Sequence, residues 1–511
     1  MINKSILLLI LNVVIFSQSF GQDGSLDNSF GNNGISSVDF NSNIDYGRAV
    51  AIQSDGKILI SGSSNSNIAL CRLNPNGTLD VGFGDFGKVT TSLSTQNDSF
   101  AIEIQNDGKI ILAGYASGYS LENPNEQIDS FILIRYLSNG LIDSSFGNNG
   151  VVKQNFGDIN RIFRTLSILP DGKILAAGDA YLGSHKEFFL MCFNTNGSLD
   201  TAFGNQGVFN TIIGNNINIC SSIAIQPSGK IILAGSTGVN VKNILVVAVN
   251  ENGTLDTSFG QEGKVIIAIS GISNDCKSVK IQPDGKIVLA GDVFISTGNF
   301  DFALIRLNHD GTFDNSFGNN GIVIKNILAN DKCSTSIIQS NGDIILIGTT
   351  NTNNVAKVAL CRFKNTGLLD NNFGNNGVVT INPGEQNNDW YYGLSSVSEY
   401  DGNIIIGGHG RIQFEYNFIA MRIVSNNGLG LLNNVLLPNV IIYPNPTKNG
   451  IINLKSNSQI NYIEVFDFTG KLVLKEYVVS NKVDLSILEM GTYLLKFEVN
   501  NEVVFNKIII N

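Results

Sequence analysis

One short phrase returns seven times along this 511-residue chain. Its copies are Leu26-Asp27…Phe30-Gly31, Leu79-Asp80…Phe83-Gly84, Ile142-Asp143…Phe146-Gly147, Leu199-Asp200…Phe203-Gly204, Leu255-Asp256…Phe259-Gly260, Phe313-Asp314…Phe317-Gly318 and Leu369-Asp370…Phe373-Gly374. The phenylalanines recur every 53 to 63 residues. A unit of that size, built from short β-rich runs and glycine turns, cannot bury an apolar face alone and must stack against copies of itself. The chain is therefore an array.

The unit beginning at Arg48 shows the pattern. Ala49 to Gln53 and Ile58 to Gly62 flank Ser54-Asp55-Gly56-Lys57, and two apolar runs around Asp-Gly read as a hairpin, because glycine supplies the positive φ of such turns. Equivalent turns stand at Gly108, Gly172, Gly229, Gly285, Gly342 and Gly402. A third strand follows at Ile68 to Leu73, then a turn at Asn76-Gly77, the repeated phrase, and a fourth strand at Lys88 to Leu93. Four antiparallel strands per unit make a propeller blade.

The count of turns and phrases predicts how the array ends. The first phrase, at Leu26, has no three strands before it, and the last unit stops near Gly428 without a phrase after it. Residues 25 to 40 should then pair with the strand around Phe418 to Ile423, closing an all-β, seven-bladed ring with no open edge.

The repeat resembles the delta-60 family, whose pattern matches Asn-x-x-Gly-x-Leu-Asp-x-x-Phe-Gly-x-x-Gly together with Pro170-Asp171-Gly172-Lys173 and Pro283-Asp284-Gly285-Lys286. The likeness covers about residues 22 to 428 and implies a fold rather than an activity. The strand order is similar to that of NHL propellers, which implies that the strand before Asp-Gly-Lys is innermost and the strand after Phe-Gly outermost. In the phrase, the aspartate is read as a turn former, the phenylalanine as a packing knob, and the third-strand arginines Arg72, Arg135, Arg306, Arg362 and Arg422 as latches onto the aspartate. Cys192 and Ala248 stand in the arginine's place in two units, so the latch is not obligatory.

Residues 1–21, with Lys4, the apolar run Ile6 to Phe16 and a polar end at Gly21, read as a signal peptide. That run is too short to span a bilayer comfortably, and none follows, so no transmembrane span is expected in the mature chain. Export makes six cysteines suggestive of disulfides. Their register argues for buried thiols instead, since Cys220, Cys276 and Cys333 occupy one position in successive units, as do Cys71 and Cys361 in two others. Net charge is −10 with scattered basic residues, which argues against nucleic acid as a partner.

After a linker at 429–438 the composition changes. Residues 439–511 alternate as a small β-sandwich, with Tyr493, Leu495, Phe497 and Val499 on one face and Leu494, Lys496 and Glu498 on the other. From Tyr443, Pro444, Asn445 and Pro446 through Gly470 and Gly491 to Lys507, this module resembles the C-terminal sorting domain of the type IX secretion system. That resemblance implies a Bacteroidota-type source, entry to the periplasm, passage through the outer membrane by the type IX machinery, and a product attached to surface lipopolysaccharide or released.

Function is expected on the face opposite the constant turns. The segments Tyr115 to Ser130, Asp179 to Glu187, Val293 to Asp301, Pro383 to Tyr392 and Gly408 to Tyr416 vary there and are read as loops. Their aromatics, chiefly Trp390, Tyr391, Tyr392, Phe414 and Tyr416, are the candidate contacts for a glycan or protein ligand, or else gap-fillers. Asp45, Asp98, Asp275, Asp331 and Asp389 precede the innermost strands and form a candidate Ca²⁺ ring, the competing reading being turn caps. No other cofactor is implied. His185, His309 and His409 lack metal-ligand spacing, and no nucleophile elbow or phosphate loop occurs, so no catalytic residues are assigned. The expected protein is a secreted or surface-displayed binder. An extracellular hydrolase or lyase and a structural or adhesive surface protein are the alternatives.

Overall fold

In the computed structural model the chain divides into two units, residues 1–427 and 428–511. The structure describes residues 22–41, 44–119, 127–155, 162–182, 185–211, 217–269, 273–296, 299–352, 355–382, 390–398, 402–412 and 415–425 of the first unit. In the second it describes 441–443, 447, 450–455, 460, 462–467, 472–478, 482–488, 490–499 and 502–510. The expected signal peptide and the linker 429–438 lie outside these residues.

Every regular element among the described residues is a strand. In the first unit they form seven four-stranded antiparallel sheets. The first blade runs Asp45–Ile52, Ile58–Ser64, Asn67–Leu73 and Lys88–Thr91. The second and third strands are almost wholly buried, being sandwiched between neighbouring blades, while the short fourth strand is half exposed on the rim. The first strands of successive blades touch one another around a closed circle, the last blade's meeting the first blade's. They are the innermost strands, in the order that the resemblance to NHL propellers implies.

The ring closes through the N-terminal segment. Ile35–Val38 pairs antiparallel with Glu415–Ile423, with Ile35 opposite Met421 and Val38 opposite Phe418. Phe30 then fills in the last blade the place that Phe83, Phe146, Phe203, Phe259, Phe317 and Phe373 fill in the others, all seven being at most 3% exposed.

The expected arginine latch is present and reaches further than its own blade. Arg72, Arg135, Arg306, Arg362 and Arg422 each donate Nε to the phrase aspartate at 2.7 to 2.8 Å. Four of these guanidinium groups also donate to a backbone carbonyl of the following blade, at Ser138, Thr195, Asn365 and Pro75. Arg362 instead pairs with Asp23 of the closing segment. Where Cys192 and Ala248 replace the arginine, the lysine of the Asp-Gly-type turn holds the aspartate: Lys173 to Asp200 at 3.0 Å and Lys230 to Asp256 at 2.6 Å.

One expectation is corrected. The described parts of four of the five variable segments are not irregular loops but continuations of the hairpin between second and third strands: Ile110–Tyr119 with Gln127–Tyr136, Ile174–Leu182 with His185–Phe193, Ile287–Ser296 with Asn299–Leu307, and Ile404–Ile412 with Glu415–Ile423. Cross-strand contacts such as Phe294 on Phe300, 4.9 Å between ring centres, keep the strands paired beyond the blade body.

The second unit has two sheets, one joining Ile441–Tyr443, Ile451–Lys455 and Lys482–Asp484, the other Leu472–Tyr477, Tyr462–Phe466, Gly491–Val499 and Glu502–Ile510. Ile452 and Leu454 of one sheet share a core with Ile463, Val465, Leu495 and Phe497 of the other, which makes a small β-sandwich.

Candidate functional site

The channel walled by the innermost strands is a cavity of about 710 Å³. Its lining is decided by a defect repeated in every blade. Gly47 faces Gly62 and Ala49 faces Ser61, so Arg48 is one residue too many in its strand. The same register shift makes Phe100, Arg164, Ser221, Lys277 and Ser334 the extra residues of the next five blades. In the seventh the shift falls between Tyr392 and Ser395. A β-bulge turns its surplus side chain out of the alternation. Here all six lie on the channel wall.

The second strand must yield to each bulge. A Cβ on Gly62, Gly178, Gly235 or Gly291 would sit 1.8 Å from the carbonyl oxygen of Tyr46, Ile162, Ile219 or Asp275. These glycines are needed for close backbone approach, and the bulged side chains follow from them.

Carboxylates behind the wall hold the bulged cations. Arg48 lies 3.1 Å from Asp98, Arg164 2.5 Å from Asp179, and Lys277 3.6 Å from Asp275. Arg48 also covers the rings of Tyr46 and Phe100 at 5.0 and 5.3 Å. Burial raises the Asp98 carboxyl despite Arg48. Deeper in the channel, burial pushes Glu103 up to about 7 against the attraction of Lys280.

The residues singled out from sequence fall in several places. Trp390, Tyr391 and Tyr392 occupy the start of the seventh innermost strand, opposite Arg411, Gly410 and His409. Tyr416 is half-buried and packs on Tyr46 at 5.4 Å and His409 at 6.2 Å, at the seam between last and first blades. Phe414 and Asp389 lie outside the described residues. Asp45 accepts a hydrogen bond from the Phe40 amide, and Asp331 accepts from the amides of Ile327 and Leu328 and the Thr350 hydroxyl. Asp98 is held by Arg48, and Asp275 by Lys242 and Lys277. Among the described residues no three His, Cys, Asp or Glu side chains converge as a metal site would require. In the sorting module Tyr443 ends the first strand, Gly491 begins the long hairpin and Lys507 pairs with Leu494 in its return strand, while Pro444, Asn445, Pro446 and Gly470 lie outside the description.

Sequence reasoning missed the bulge ring. Its signal was available: a glycine recurs in the second strand at Gly62, Gly114, Gly178, Gly235, Gly291 and Gly348, a costly residue there unless another backbone approaches.

Residues 53–83, 105–146, 169–203, 226–259, 282–317 and 339–373 match the family described as Domain of unknown function (DUF5122) beta-propeller, and residues 441–511 match the Secretion system C-terminal sorting domain. The chain carries DUF5122 propeller repeats and a type IX sorting domain. That sorting domain marks this DUF5122 propeller for the cell surface or extracellular space and for contact with the secretion machinery. No helix among the described residues is long and apolar enough to cross a membrane. No curated protein matches the sequence. Among solved structures, virginiamycin B lyase from Staphylococcus aureus is 11% identical with a TM-score of 0.45, over 76% of this chain and 98% of that one. Polysaccharide lyase Uly1 is 11% identical with a TM-score of 0.46, over 80% of this chain and 94% of that one. Likeness at this distance carries no assignment of activity.

Proposed function

We propose that this exported DUF5122 propeller is a binding protein whose variable face takes a glycan or another protein, without chemistry of its own, at the cell surface or after release. Attachment to lipopolysaccharide is the form of display that the sorting domain suggests. The observation that carries this reading is the contrast between the two faces. On one, the same glycine turn recurs with φ of 80° to 91° from Gly56 to Gly402. On the other, the hairpin turns back between Ser64 and Asn67 in the first blade but only between Tyr119 and Gln127 in the second. A rigid scaffold with variable hairpins on one face is the usual arrangement for recognition.

Exposed apolar side chains on the variable face support it: Tyr119 is 63% exposed, Val239 58% and Val241 51%. Phe86 and Leu141 are exposed on the constant side as well, so exposure alone does not choose the face. The test is a glycan array, with a pull-down of surface proteins beside it, using the parent and the Trp390→Ala, Tyr391→Ala and Tyr392→Ala variants. Loss of a specific signal in the variants supports the site. Equal binding by all of them removes it.

A further inference from the structure

We propose that the bulge ring of the central channel is a second binding site, separate from the loop face, for a small hydroxylated carboxylate of the sugar-acid class. The argument starts from charge. The whole chain carries −10, yet the six described bulge residues include three cations, Arg48, Arg164 and Lys277, and no acid. They come from the first, third and fifth blades and so approach the cavity from different sides. With Lys280 included, the described residues of the lining hold four cations against the carboxylate of Glu103. A concave, low-dielectric wall with an excess of one sign focuses its field on whatever enters.

The carboxylates behind the wall are set back from the cavity. The Asp98 and Asp179 side chains are 8% and 0% exposed, whereas those of Arg48 and Arg164 are each 27% exposed. The acids lie inside the blades and the cations face the cavity. A guanidinium has five donors in a planar fork. The Asp179 carboxylate takes Nε of Arg164, which leaves the geometry for a second, incoming carboxylate. The aspartates thus fix the direction of each cation.

The rest of the lining describes the remainder of the ligand. Thr165, Ser167, Thr335 and Ser395 bring hydroxyls to the lining, which both donate and accept, as a polyol requires. Phe100, stacked on Tyr115 at 6.1 Å between ring centres and covered by Arg48 at 5.3 Å, braces that cation against the wall. A volume of about 710 Å³ suits one or two sugar rings, not a polymer.

The test is calorimetric titration of the whole mature protein with D-galacturonate, against D-galactose, which has the same ring without the carboxylate, and against inorganic phosphate. Galacturonate should bind at least about tenfold more tightly than either control and weaken in high salt. Lys277→Gln should lose about tenfold. Because changing Arg48 or Arg164 strands a buried aspartate, the decisive variants are Ser334→Glu and Ser334→Lys, which alter the ring's charge at a position with no ion pair. The first should abolish binding and the second should strengthen it, with melting temperatures unchanged. Galacturonate binding no tighter than galactose, phosphate binding equally well, or indifference to both Ser334 variants would each overturn the proposal.

Discussion

Arg306 donates Nε to Asp314 of its own blade at 2.8 Å and Nη1 to the Asn365 carbonyl of the next blade at 2.5 Å. One side chain thus fixes a turn and a blade boundary together. Its guanidinium also lies 4.2 Å from the centre of the Phe317 ring, so the packing knob and the latch are one assembly.

Breaking that latch should cost more than breaking its lysine substitute. Asp314→Ala leaves Arg306, 6% exposed, without its carboxylate, and the expected loss is about 3 to 5 kcal/mol. Asp200→Ala frees only Lys173, whose side chain is 37% exposed, and should cost about 1 kcal/mol. Both aspartates also accept an amide of their own turn and pair with the turn lysine, so the difference reports the arginine together with the Ser316 hydroxyl that Asp314 accepts. Urea unfolding of the two variants decides it, and equal losses would show that the latch contributes nothing beyond turn formation.

His409 makes stability depend on pH. It is 5% exposed, and its Nδ1 lies 3.0 Å from the Gly47 carbonyl, an acceptor, so Nδ1 carries the proton of the neutral ring. Burial pulls its pKa down from 6.5 to about 4, with Arg48 adding to the effect. The unfolded chain therefore takes up a proton first as pH falls. Stability held above about pH 6.5 should decline towards pH 4 by about 3 kcal/mol and then level off as far as this group is concerned. His409→Phe should flatten that part of the curve in melts taken from pH 7 to 4. An unchanged slope would place the titration elsewhere.

Gly235→Ala tests the bulge. The new Cβ would stand 1.8 Å from the Ile219 carbonyl oxygen, so the strands must separate or the bulge must be lost. Destabilisation of about 2 to 3 kcal/mol is expected, against about zero for an alanine at the exposed Asn240. Thermal melts read the difference, and a Gly235→Ala protein as stable as the parent would mean that the close approach is not required.

The thiols should be inert until the protein unfolds. All six cysteines are buried and unpaired with one another, and burial pushes Cys71, Cys276 and Cys361 up to about 12. Ellman's reagent should find almost no thiol in native protein and six in guanidinium. Rapid labelling of the native form would contradict this packing.

Removal of residues 22–40 should open the ring. It exposes Glu415–Ile423 as an edge strand and takes Phe30, fully buried, out of the seam. Loss of monodispersity in light scattering is the expected result. A truncated chain that remains monomeric with an unchanged melt would show that closure is dispensable.

Much of this architecture was legible from local pattern. Leu-Asp-x-x-Phe-Gly and Asp-Gly-Lys recur because each blade must form the same turn and bury the same ring, and counting them placed residues 25–40 against the last blade. In sequence the hairpin extensions at Tyr119 and Tyr181 read as loops because they vary from unit to unit while the turns on the other face do not. Their strand pairing comes from partners across the hairpin. Tyr416 shows the same limit, since an aromatic that sequence places among ligand contacts packs instead between Tyr46 and His409.

By itself the sequence determined that the chain is a β array with an exported fate, because turn chemistry, period and the sorting module are properties of neighbouring residues. Tertiary structure alone decided which side chains meet across blades. Arg306 finds Asn365 59 residues away, and six bulges in six separate strands gather Arg48, Arg164 and Lys277 around one cavity. The physical reason is that a bulge changes the direction of a side chain without changing its identity. Only when the ring closes do those redirected groups face one another.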